Sequence, residues 1–417
     1  MTGNAMIDKH SLAQDLQSLA NVGSLAEGGV TRLAFSPEEM ELHRRVAGWL
    51  TDLGGQVRTD AIGNLIARFP GRDNSLPAVA FGSHLDSVPQ GGAFDGVVGV
   101  VAAIAVIRAI QRRGLRTQHP LEVIVFISEE SSRFGIATLG SKVMTGCGDI
   151  QQWLRIQDAT GVTLQAAARQ AGACLDRIAS ARRRPEEFKV FLELHIEQGR
   201  VLEETENRIG IVTAIAAPHR RHITIEGRTD HSGATPMALR RDALAAAAEL
   251  ILAVERHGWA ESPYQSVATV GTLTLRPGVM NVISGRVDLD LDVRGIDADS
   301  IERVVDGISS DLKGICQRRK VQARVQELTA DQPVELDRNL IAITEAVCEQ
   351  LAVPYLLMPS GAGHDAMNMA KITPTGLIFI PCKDGISHNP AEEASIDDIA
   401  LGAEVLLHTV LKLAHGN

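Results

Sequence analysis

Histidine and carboxylate residues recur in this chain where a hydrolytic two-metal centre would need them. Such a centre takes nitrogen and carboxylate ligands on two ions about 3.5–4 Å apart, with one group bridging them and an unligated base for water. The sequence offers His84-Leu85-Asp86, Asp95 in a glycine-rich loop, the pair Glu129-Glu130, then His195 and, near the C-terminus, His388. One residue between His84 and Asp86 places both side chains on the same side of an extended segment. Asp86 can there fix the His84 tautomer and raise its basicity. Gly91, Gly92 and Gly96 around Asp95 let backbone crowd an ion where a side chain would clash. Adjacent Glu129 and Glu130 point in different directions, so one can ligate while the other stays free as base. Water beside a divalent ion is acidified towards pH 7, within reach of a carboxylate. Taken singly, a histidine after a strand is more often structural and a Glu-Glu pair more often surface. The conjunction, in order and at strand ends, carries the reading.

The elements that must position these groups are legible around them. Apolar runs at 78–81, 121–127 and 191–194 read as buried parallel strands, each followed by a polar segment of the set above. Helical stretches fall at 38–53, 96–112 and 163–181. Alternating strands and helices predict an α/β sheet covered on both faces, with ligands gathering beyond the carboxyl ends of its strands. The middle of the chain changes character: strands at 221–228, 266–275, 286–294 and 321–328 alternate with helices at 240–257 and 300–318. The order β-α-β-β-α-β is that of a ferredoxin-like unit. The expectation is therefore a small α+β domain at 213–331 inserted into a catalytic domain of 1–212 and 332–417. The return segment carries a helix at 340–351, a glycine-rich loop at 360–364, a strand at 376–380 and a last helix at 395–414.

Bulk composition excludes several classes. At 417 residues the chain exceeds what one core usually serves, and 45% hydrophobic residues suffice for two. A net charge of −10 argues against a nucleic-acid surface, which needs clustered Lys and Arg. The one dense basic cluster, Arg182-Arg183-Arg184, runs straight into Glu186 and Glu187 and reads as a solvated turn. The five cysteines, at 147, 174, 316, 348 and 382, are scattered and odd in number, which disfavours a disulfide framework or thiolate site and fits a reducing cytoplasm. Residues 1–17 carry no signal-like apolar region, and the longest apolar stretch, 97–110, is too short to span a membrane and reads as a buried helix.

The segments GSHLDSVPQGGAFDGVVGV (82–100), SEESSRFG (128–135), LHIEQG (194–199), HSGATPM (231–237), SGAGHDAM (360–367) and GISHNPAEE (385–393) resemble the hydantoinase/carbamoylase amidases. These are a branch of the di-metal aminoacylase and carboxypeptidase superfamily that includes N-carbamoyl-L-amino acid hydrolases, β-ureidopropionases and allantoate amidohydrolases. The resemblance implies a di-metal exopeptidase-like catalytic domain, a mixed sheet flanked by helices, with the inserted domain as lid and dimerisation surface. It implies one divalent ion (Zn²⁺, Mn²⁺, Co²⁺ or Ni²⁺) on His84, Asp95 and His195, and a second on Asp95, Glu130 and His388. Glu129 matches the general base and Asp86 the carboxylate behind the first ligand. Gln198, His231, Asn281 and Arg294 match residues that handle the substrate's carboxylate and cleaved amide. Gly361, His364 and Asp365 match a loop lining the site, although a glycine-rich loop can also simply turn the chain. His231 resembles an imidazole contributed across a dimer to a developing oxyanion.

Arg294 suits bidentate capture of a carboxylate; the alternative is an arginine paired with Asp290 or Asp292. His219 and His222 match no role and belong to strand or surface. The chain departs from the family at Ser232, where alanine is common, and over 217–221, where an aromatic is usual. Both departures bear on the substrate, a small ureido or amide compound with a carboxylate. N-carbamoyl-L-amino acids are the first expectation. Allantoate, ureidoglycolate, N-carbamoyl-β-alanine and N-acyl amino acids are the alternatives.

Overall fold

The computed structural model describes residues 6–415; residues 1–5 and 416–417, the extreme ends of the expected catalytic domain, lie outside the described residues. The chain forms two compact units, Met1–Thr213 with Leu336–Asn417, and Ala214–Glu335.

In the first unit, the strands Gln56–Thr59, Leu65–Phe69, Leu121–Phe126, Ala78–His84, Phe188–Ile196, Thr375–Ile380 and Ile209–Ile215 lie side by side in that order. The central four are mutually parallel. The flanking strands run antiparallel to their neighbours, so the sheet is mixed. Every residue of Ala78–His84, Leu121–Phe126 and Thr375–Ile380 is buried, which is why these strands read as continuous apolar runs rather than alternating ones. Gly82 permits the close approach of two of them: a Cβ there would lie 1.7 Å from the Ile124 carbonyl oxygen. The helix Val97–Arg112 is buried along nearly its whole length, and Ile396–His415 packs against it. Pro37–Asp52 starts as its sequence prescribes, with Ser36 accepting from the Glu39 amide at 3.3 Å and proline in the first turn.

Three expectations are corrected. The stretch 163–181 is not one helix: Leu164–Gln170 ends before Gly172, whose φ of +98° breaks the spiral, and Leu175–Ala181 is a separate 3₁₀ segment. Four strands of the larger sheet were missed in the sequence, Gln56–Thr59, Leu65–Phe69, Ile209–Ile215 and Tyr355–Ser360; the last leads into the glycine-rich loop and pairs with Ile209–Ile215, and its Pro359 is compatible with an edge position. The basic cluster is not simply solvated. Arg183 is buried, donating to Glu122 at 3.1 Å and Glu187 at 2.7 Å, with its guanidinium 4.5 Å from the Phe188 ring centre.

The second unit has a four-stranded antiparallel sheet, in the order Gln322–Ala330, Ala217–Glu226, Arg286–Gly295, Val267–Arg276. Helices Ala243–Glu261 and Ala298–Arg319 pack on it, giving the chain order β-α-β-β-α-β. Along Arg286–Gly295 burial alternates: Val287, Leu289, Leu291 and Val293 enter the core with Ile223, Leu250 and Ile308. The opposite face is a ladder of charge, with His222 Nδ1 2.7 Å from Asp290 and Thr224 donating to Asp288 at 2.7 Å. Among the described residues no helix is long and apolar enough to cross a membrane.

Candidate metal centre

Parallel strands bring their carboxyl ends to one edge of the sheet, and the first unit gathers its histidines and carboxylates there. His84 ends its strand, His195 is the penultimate residue of Phe188–Ile196, and Glu129-Glu130 lie just beyond Leu121–Phe126. Two groups of possible ligand atoms result, His84 with Asp95 and His195, and Asp95 with Glu130 and His388, the atoms of each group within 4.8 Å of one another. Asp95 divides its oxygens between them. Its Oδ1 faces His195 Nε2 at 3.0 Å and His84 Nε2 at 3.7 Å, while Oδ2 faces His388 Nε2 at 3.1 Å. Glu130 Oε1 closes the second group, 3.1 Å from His388 Nε2.

Asp95 lies two residues before the helix Val97–Arg112, and the turn into it is made at Gly96, with φ +67°. A Cβ on Gly96 would sit 2.4 Å from the His84 ring. Asp86 is fully buried. Its two oxygens accept the backbone amides of Glu129 and Glu130 at 3.0 and 2.9 Å, and Oδ1 lies 3.4 Å from His84 Nδ1. The aspartate thus sets the backbone of both glutamates as well as approaching the histidine.

The donor set suits divalent cations. His195 Nδ1 lies 2.9 Å from the Ile196 carbonyl, an acceptor, so a proton resides there and Nε2 is the nitrogen turned to Asp95. Hydrogen bonds to Asp95 and Glu130 push His388 up to about 11. Burial alone would lower His84 and His195, yet the carboxylates around them raise both. The pocket therefore draws positive charge onto every imidazole that faces Asp95. Burial pushes Asp95 up, but hydrogen bonds from His195 and His388 outweigh it and hold its carboxyl well below the usual range. Glu129 and Glu130 are both raised, first by burial and then by neighbouring carboxylates. Oxygen and nitrogen ligands without thiolate fit Zn²⁺, Mn²⁺, Co²⁺ or Ni²⁺.

Gln198 is held at φ +59° and its Nε2 donates to Asp95 Oδ2 at 2.8 Å, leaving a buried Oε1 with no hydrogen-bond partner among the described residues. His364 is buried with its ring centre 4.6 Å from that of His195 and Nε2 2.9 Å from Ser360 Oγ; burial and His195 keep it neutral. Asp365 beside it is buried and raised to about 8, first by burial and then by Glu193. Gly361 is exposed in the loop between Ser360 and His364.

In the second unit, His231 and Asn281 are neighbours. Val282 pairs with His231 in a short ladder and the Ser232 amide donates to the Asn281 carbonyl at 3.0 Å. His231 is exposed, and its Nδ1 accepts from the Gly233 and Ala234 amides at 3.0 and 3.1 Å, which leaves Nε2 as the protonated nitrogen of the neutral ring. Arg294 Nε donates to Asp292 at 3.0 Å, the pairing that the sequence allowed as an alternative. His219 and His222 lie on the strand Ala217–Glu226.

Sequence reasoning missed four polar groups around the centre, three of them buried and Ser387 half-buried. Glu39 accepts the Ser128 amide at 2.9 Å, and Glu193 accepts from Ser83 Oγ at 2.7 Å and the Ala366 amide at 3.0 Å. Glu392 and Ser387, the other two, flank His388, and the run GISHNPAEE was the available signal for them.

Residues 80–412 match the family described as peptidase family M20/M25/M40, and the chain belongs to it. An N-carbamoyl-L-amino acid amidohydrolase of Geobacillus stearothermophilus is 43% identical over 411 residues, covering 99% of this chain and 100% of that one. A ureidoglycolate hydrolase of Oryza sativa subsp. japonica is 38% identical over 412 residues, 98% of this chain and 85% of its own. Among solved structures, an amidase of the hydantoinase/carbamoylase family from Burkholderia multivorans matches with a TM-score of 0.90 at 34% identity, covering 98% of each chain. The resemblance read from the motifs is borne out.

Proposed function

We propose that this chain hydrolyses the carbamoyl group of an N-carbamoyl-L-amino acid at a centre of two divalent ions, one on His84, Asp95 and His195, the other on Asp95, Glu130 and His388. The observation that carries the reading is Asp95 offering a separate oxygen to each group of ligand atoms. When bound, the ions supply Lewis-acid polarisation of the scissile carbonyl and acidify the attacking water. Glu129, whose Oε2 lies 3.9 Å from His84 Nε2, takes the proton of that water and delivers it to the leaving amine. The C–N bond to the amino acid breaks, and the carbamate released decomposes to ammonia and carbon dioxide. Asp86 holds Glu129 in place through the amide it accepts.

Gln198, Gly361 and His364 contribute to substrate binding from the first unit, and Asn281 and Arg294 from the second, which serves as lid and dimerisation domain. His231 presents Nε2–H as an oxyanion donor, contributed across a homodimer. Ureidoglycolate is the second reading, supported by the plant relative's name.

The test is ammonia release by enzyme stripped of metal and reloaded with Mn²⁺ or Zn²⁺, on N-carbamoyl-L-amino acids, N-carbamoyl-β-alanine, allantoate and ureidoglycolate, with N-acetyl amino acids read by free amine. Glu129→Gln should lower kcat by about 10²–10⁴-fold with metal retained. Turnover of N-acetyl compounds alone would move the function to an aminoacylase, and turnover of none with metal bound would refute the reading.

A further inference from the structure

Asp95 can serve two ions only if its carboxylate stands in one orientation, and its own side chain has just two torsions with which to hold it. Gly91, Gly92 and Gly96 surround it. What fixes it comes from 297 residues away. Glu392 is buried, and its Oε1 accepts the amides of both Phe94 and Asp95 at 3.0 Å. Its Oε2 lies 3.0 Å from Ser387 Oγ, and that hydroxyl lies 3.2 Å from Asp95 Oδ2. A hydroxyl has one proton, so Ser387 shares it between the two carboxylates, while Gln198 Nε2 donates to the same Oδ2 at 2.8 Å. Gly92 makes room for this arrangement: a Cβ there would fall 2.1 Å from the Glu392 carboxyl. Arg32, fully buried, feels the charge of Glu392 and is anchored to the Val22 and Leu19 carbonyls at 2.9 and 3.0 Å. The Arg32 backbone also exchanges hydrogen bonds with Ser87, the residue after Asp86, at 3.0 and 2.9 Å.

We infer that Glu392, through Ser387 and the Asp95 amide, is the positioning residue that sets the bridging carboxylate, and that Gly92 is glycine to admit it. The inference rests on the two-ion reading above. Glu392 touches neither group of ligand atoms, so its effect falls on metal binding before chemistry. Removing such an outer partner weakens metal affinity by about 10–100-fold.

Metal dissociation constants, measured by chelator competition with Zn²⁺ and Co²⁺, and the absorption spectrum of the Co²⁺ form test this on the full chain. Glu392→Ala should weaken binding by about 10–100-fold and alter the Co²⁺ spectrum, with Glu392→Gln, which keeps an oxygen for the two amides, falling between it and wild type. Ser387→Ala, which leaves the backbone clamp intact, should give a smaller loss in the same direction and serves if Glu392→Ala does not fold. Gly92→Ala should reproduce the Glu392 phenotype. Wild-type affinity and an unchanged spectrum in Glu392→Gln and Ser387→Ala would overturn the positioning role alone. Absence of divalent-ion binding by the wild type would overturn it together with the two-ion reading.

Discussion

Gly96→Ala isolates how far the centre depends on one missing side chain. Gly96 has φ +67° and ψ −43°, outside the left-handed helical well, a conformation that costs a residue with a Cβ about 1–3 kcal/mol. The added methyl would also sit 2.4 Å from His84 Cε1 and 2.5 Å from both ring nitrogens. To reach ordinary contact the imidazole must retreat by about 1 Å, roughly half the length of a metal–nitrogen bond. It has nowhere to go without losing either its place beside Asp86 or its approach to Asp95. Gly114→Ala is the control, because Gly114 has φ +61° and a Cβ there meets nothing within 4 Å among the described residues. Both variants should lose a few degrees of Tm through backbone strain. Only Gly96→Ala should bind the ion at His84 about 10–100-fold more weakly, which is about 1.4–2.8 kcal/mol. Scanning calorimetry of the metal-free proteins and chelator competition of the loaded ones separate the two effects. Equal metal affinity in Gly96→Ala and Gly114→Ala would refute the reasoning.

Two further outcomes concern stability. Glu122 is buried between Arg68 at 2.7 Å and Arg183 at 3.1 Å, so Glu122→Gln leaves a buried guanidinium short of its counter-charge. It should cost about 3 kcal/mol in urea unfolding, at the low end for a broken buried pair because Glu187 still holds the Arg183 Nε; a change near zero would show that water reaches the pair. Asp8 caps the helix Lys9–Ala20, and hydrogen bonds from the Ser11 side chain and amide lower its carboxyl to about 2. The folded value lies below the unfolded one, so its contribution is present above pH 4 or so and is lost as pH falls towards 2. Asp8→Asn should flatten that part of the acid limb of Tm against pH, and an unaltered limb would count against the cap.

Legibility followed the range of the interactions. The strand Ala78–His84 and the helix Val97–Arg112 are written in consecutive apolar residues, because burial on every side leaves no room for polar ones. The candidate ligand residues were legible for a related reason: His84, Glu130 and His195 fall in the short polar segments that follow the apolar runs 78–81, 121–127 and 191–194. Tyr355–Ser360 was missed because an edge strand needs no such run and tolerates Pro359. The stretch 163–181 looked like one helix because its composition is uniformly helix-favouring, and a single glycine at positive φ decided otherwise. By itself the sequence determined the α/β class, the four central strands of the larger sheet and which side chains had chemistry to offer, since these depend on residue types within a few positions of each other. Only the tertiary structure decided that Arg183 is buried against Glu122, that Asp86 holds the amides of Glu129 and Glu130, and that Glu392 reaches back to Asp95. Those pairings join residues 43 to 297 positions apart, and a contact between distant segments leaves no period or composition in either of them to read.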